Sequence, residues 1–216
     1  ANYSHNIVLQ KQILERVVSI QPPSHDTADA ERHLGRMCWR YEKQYDQAYV
    51  HFRKAMAGKD VVAAAWLDVA DMELSRRHYE DAGKAADAAL AAASLPLEKL
   101  GAQIKAAQSV VDETVLERLA GGAAQTREIG SAFTSLRQLV DEQSGLEIVS
   151  RLFLQVSLLV GNGPAALTAW RAYFRADGGA AAPGAIAAAG ETLSRLLPDW
   201  REPGNAESRL ALICVL

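Results

Sequence analysis

The sequence predicts an all-α fold of antiparallel helical hairpins, and three observations predict it. Alanine is abundant while β-branched and aromatic residues are sparse, which favours helix because Ala loses no side-chain entropy there. Apolar residues recur at helical spacing, and hardly any segment alternates as a strand would. Finally, QYDQAYVHFRKAM at 44–56 returns as HYEDAGKAADAAL at 78–90, a recurrence with a period of 34 residues.

The elements follow in order. NIVLQKQILERVVSI is an amphipathic helix, expected over 5–20, that ends before Pro22 and Pro23. Two repeats are expected at about 28–58 and 62–94. Setting Ala48 on Ala82 aligns Tyr45 with Tyr79, Phe52 with Ala86 and Ala55 with Ala89. In the preceding helices, Leu34, Gly35 and Cys38 share one face, as do Trp66, Val69 and Ala70. A small residue thus lies in each first helix (Gly35 or Ala70) and opens each second helix (Ala48 or Ala82), which lets the two pack closely. Residues 97–140 read as a longer hairpin broken at Gly121-Gly122. Ser144 to Glu147 reads as a capping box that starts a helix through Val160, and Asn162-Gly163-Pro164 turns the chain into ALTAWRAYF, giving a hairpin over 146–176. Further helices are expected over 185–216, with Trp200 in a loop between them.

The 34-residue pattern resembles the tetratricopeptide repeat family, whose helix-turn-helix unit carries Trp and Leu-Gly in its first helix and Tyr, Ala, an aromatic and Ala around its second. The match is strongest over 28–94. Trp66, Ala70, Tyr79, Ala82, Ala86 and Ala89 fit the second repeat, with a small Ala86 where an aromatic is common. The first repeat fits through Leu34, Gly35, Tyr45, Ala48, Phe52 and Ala55, but its inter-helix segment is one residue longer and Glu31 stands at the Trp position. The resemblance implies a right-handed α-solenoid over residues 1–216 whose concave wall binds a protein or peptide.

The family's ligand contacts lie mainly on the first helix of each repeat. There, Arg32, Arg36 and Arg40 recur every four residues, opposite Leu34 and Cys38. They suit an acidic peptide, since guanidinium forks pair with carboxylates; otherwise they form a solvated face or pair with the next repeat. Residues 31–54 hold six Lys/Arg and three Asp/Glu, and residues 59–87 four and seven, so adjacent units carry opposite charge. Pairing of Arg32 or Arg36 with Asp68 or Asp71 is the favoured reading. Leu67 and Leu74, with Ser75 beside Leu74, fall at groove positions, where the leucines form an apolar floor or else pack against a neighbour. The Lys/Asn clamp by which some family members hold a terminal carboxylate is absent, its positions holding Arg32, Arg36 and Asp68.

No catalytic or cofactor pattern emerges. His5, His25, His33, His51 and His78 lack paired metal spacing, and no nucleophile elbow or phosphate-binding glycine loop occurs. Asp68 and Asp71, one turn apart, read as surface carboxylates ahead of a cation site. Cys38 and Cys214 read as free thiols. With a net charge of −3, no global attraction to nucleic acid or anionic membrane is expected, and the longest uncharged run, Leu152 to Trp170, is split by a turn. The compartment is left open, cytoplasmic ahead of periplasmic. RLALICVL ends within an apolar helical pattern, which suggests a longer chain. A protein-interaction or assembly module without enzyme activity of its own is therefore expected. The alternative is the helical part of a larger enzyme, and exposed end helices also allow self-association.

Overall fold

The computed structural model describes residues 2–20, 24–120, 126–143 and 146–176. The helices expected over 185–216, together with Trp200 and Cys214, lie outside them. Among the described residues there is no strand, and no helix is long and apolar enough to cross a membrane. The chain divides into two compact units, up to Ala106 and from Ala107 on.

In the first unit, α1 (Asn2–Ile20) is followed by two hairpins: α2 (His25–Met37) with α3 (Tyr45–Ala55), and α4 (Val62–Ser75) with α5 (Tyr79–Ala92). Each helix packs against the next. The start of α2 is fixed by Ser24, whose hydroxyl accepts from the Thr27 N–H while Thr27 Oγ1 accepts from the Ser24 N–H. This reciprocal cap satisfies two backbone donors that a helix start leaves open.

The two hairpins solve the same packing problem with opposite residue sizes. A Cβ added at Gly35 would lie 2.7 Å from the Phe52 ring, so glycine in α2 is what admits the aromatic from α3. In the second hairpin Ala70 faces the smaller Ala86, and both are fully buried. Trp39, Val69 and Met72 join these residues in one core, with Tyr45, Tyr49 and Trp66 packed on its margin.

The extra residue of the first repeat is absorbed in one place. Cys38–Glu42 forms a π-helical turn at the end of α2, and the Gln44 N–H closes it on the Cys38 carbonyl at 2.9 Å. The corresponding bond in the second repeat, His78 N–H to the Glu73 carbonyl at 3.0 Å, spans one residue fewer. Lys43 (φ 58°) and Arg77 (φ 62°) occupy the left-handed position of these two turns. Such a position terminates many helices and normally holds Gly.

α6 (Pro96–Leu119) begins in the first unit. The second unit contains α7 (Thr126–Glu142), α8 (Glu147–Leu159) and α9 (Gly163–Ala176), with α7 packed on α8 and α8 on α9. Leu152, Leu154 and Val156 are buried from α8, and Phe133 meets Phe153 at 5.4 Å between ring centroids. The α8–α9 turn repeats the earlier cap, with Asn162 N–H on the Ser157 carbonyl and Gly161 at φ 71°. α8 itself begins at Glu147 with Leu146 at its cap position and no side-chain cap bond, which differs from the capping box read from Ser144. An uncapped start is tolerable here because burial of the α8 apolar face holds the helix.

Candidate functional site

The first helices of the two repeats place most of the expected site residues side by side. Asp68 on α4 receives Arg32 Nη1 at 3.3 Å and Arg36 Nε at 3.6 Å, both from α2. Arg32 also reaches Asp29 at 3.1 Å. Asp68 is therefore not the surface carboxylate its sequence context suggested: it is only 7% exposed. Burial pushes its carboxyl above the ordinary value, and Arg36 and then Arg32 pull part of the way back.

Asp71 does not share Asp68's partners. Lys105 of α6 meets it at 2.5 Å, so the two acids of α4 pair with different neighbours. Leu67 faces α6 as well, within van der Waals reach of a Cβ placed on Gly101. Ser75 accepts the Trp39 indole N–H at 3.1 Å and donates to the Met72 carbonyl at 2.6 Å. Its hydroxyl thereby ties the π-turn to the end of α4. Leu74 is half-buried.

Arg40 stands apart. It is exposed, its guanidinium lies 4.9 Å from the centre of the Trp39 ring, and no carboxylate pairs with it among the described residues. Stacking on the indole face leaves its edge N–H donors free. Arg36, held by a single long contact, is half-exposed beside it in the helix.

Two buried glutamates hold the array in ways that the sequence pattern did not reveal. Glu73, 1% exposed, accepts from Tyr49 Oη at 2.8 Å and Arg76 Nη1 at 3.0 Å, and lies 2.8 Å from His78 Nδ1. Tyr49 comes from α3, so this knot joins one hairpin to the next; burial and then the bond to Glu73 push its phenol up. Glu73, His78 and Asp81 lie close enough to offer a metal three atoms. The Arg76 guanidinium on the same carboxylate supplies the positive charge a cation would bring, and these groups fit a protein network better than a metal. Glu31, 6% exposed, is met by His51 Nδ1 at 2.6 Å and Lys54 Nζ at 3.5 Å. The only signal in the sequence was an acid at a position where the repeat wants an apolar side chain, with a histidine about one helix away.

Cys38 is buried, and burial raises its thiol further, which leaves it unreactive. No family model matches the chain, and neither a curated protein nor a solved structure does.

Proposed function

We propose that this chain is a protein-interaction module of tetratricopeptide-like architecture, whose stacked hairpins offer a preformed groove to an acidic segment of a partner protein. The observation that supports this reading is the division of roles along α2 and α4. Arg32, Asp68, Asp71 and Ser75 are occupied in holding neighbouring helices. Arg40 is not: it is presented on an indole from a π-helical turn, a feature frequent at functional sites, with half-exposed Arg36 close by in sequence. Two guanidinium groups on a packed scaffold bind carboxylates at low ordering cost. Leu74 adds an apolar contact at the edge.

The test is crosslinked affinity capture from the native source with the unaltered chain and with R36E/R40E, each checked for helicity. Arg32 is left alone because its loss would strand Asp68, and R40E is also run by itself, because Arg36 contacts Asp68 too and its reversal disturbs the α2–α4 join. Partners with acidic segments are expected to disappear from the charge-reversed capture. Retention of every partner by R36E/R40E would overturn the proposal.

A further inference from the structure

Where the second repeat carries Trp66 and alanines, the first carries charged side chains beside a cleft. A cleft of about 550 Å³ lies where the end of α1, the start of α2 and the end of α3 come together. Val18, Ala28, Ala57 and Gly58 give it an apolar wall, and Glu31, Lys54 and Lys59 its charges. In the register of the repeats, Ala28 corresponds to Ala63, Glu31 to Trp66, Lys54 to Ala88 and Lys59 to Ala93. The second hairpin therefore has an indole among alanines where the first has a carboxylate and two lysines. Trp66 packs against the core there, whereas Glu31 is drawn toward His51 and Lys54.

The polar groups around the cleft define what it can accept. The Ser24 and Thr27 side chains are committed to the helix cap, and His25 lies beside Asp26. Glu31, with one contact to each oxygen, keeps acceptor capacity. Lys59 is exposed and meets no carboxylate among the described residues. The size and mixed lining match those of small-molecule sites.

The geometry points to a binding site for a planar heteroaromatic ring that carries an N–H donor and an anionic group. The ring takes the position that Trp66 holds in the register of the next repeat, its N–H meets Glu31, and its anion meets Lys59. Such a group can come from a free aromatic acid or from a tryptophan side chain on an acidic peptide.

Indole-3-propionate titrated into the chain, followed by calorimetry and by ligand NMR, tests this directly. Saturable binding below a few millimolar is expected. Glu31→Trp, which copies the second hairpin, should abolish it while raising the melting temperature. Lys59→Glu should weaken the acid by about tenfold or more and leave the weaker binding of uncharged indole unchanged. A wild-type chain that does not bind, or a folded Glu31→Trp chain that binds equally well, overturns the site. If Glu31→Trp does not fold, equal binding by Lys59→Glu overturns it. A Trp-Glu peptide that binds more tightly than indole-3-propionate supports the site with a partner side chain as occupant, and the reverse order supports it with a free aromatic acid. Because the probe is a defined small molecule, the outcome is independent of whether Arg36 and Arg40 contact a partner.

Discussion

Arg77 and Lys43 occupy a backbone conformation in which any Cβ is crowded, and the equivalent turn after α8 uses Gly161 instead. Replacing either residue by glycine relieves a conformation that costs an L-residue roughly 1–2 kcal/mol. Arg77→Gly is therefore expected to stabilise the chain by about 1 kcal/mol in urea denaturation, offset in part by the greater freedom of the unfolded chain. A cation at this place interacts favourably with the carbonyl end of the helix, which explains why a basic residue is tolerated. Gly35 makes the opposite prediction. Its missing Cβ is space that Phe52 uses, so Gly35→Ala should cost about 1–3 kcal/mol, and the cost should shrink in a Phe52→Ala background. Additive losses in that cycle would show that the two residues are not coupled. Asp68 carries a pH signature. Its carboxyl is raised above 3.8 by burial, so the folded chain holds that proton more tightly than the unfolded one. Its contribution is present in full below the unfolded value and is lost as pH rises through the folded value. The stability difference between the wild-type chain and Asp68→Asn should fall as pH rises through and beyond the ordinary carboxylate range.

Among the elements, the join between α3 and α4 depends on Glu73. Truncation to alanine would leave the Tyr49 hydroxyl, Arg76 and His78 facing an emptied position. A loss of about 3 kcal/mol is expected, and Tyr49→Phe should cost about 1.5–3 kcal/mol; near-wild-type denaturation curves for both would contradict the knot. The helices themselves were legible in the sequence, because apolar periodicity and Gly/Pro breaks act locally. Tyr45, Ala48, Phe52 and Ala55 and their counterparts fall within α3 and α5 for the same reason. Glu73 and Glu31 were not legible. Their roles depend on Tyr49, Arg76, His51 and Lys54 converging from other helices or turns, and no single-helix pattern encodes such a meeting. Asp68 was legible as a partner for the arginines but not as a buried group, since burial is decided by the neighbouring helix.

At the scale of the whole chain, opposite charge on successive segments served as a sign that neighbours attract, and the contacts from α2 to α4 and from α4 to α6 show where the attraction is realised. The surplus of three positive charges over residues 31–54 is reduced locally in this way, while Arg40 and Arg53 stay exposed with no carboxylate in ion-pair contact among the described residues. Salt should therefore weaken partner capture more than it weakens folding, because exposed contacts are screened more than buried ones. Equal sensitivity of the two would argue against Arg40 as the contact. The π-helical turn at Cys38–Glu42 also bears on how this array can change in length. One surplus residue is taken up within a single turn, whose closing bond spans one residue more than its counterpart after α4. Deleting exposed Tyr41 should accordingly give a folded chain with an ordinary α-helical end to α2. The segment is thus expected to tolerate loss of one residue, with the effect felt at Arg40 and at neighbouring Trp39, whose indole the core and Ser75 hold in place.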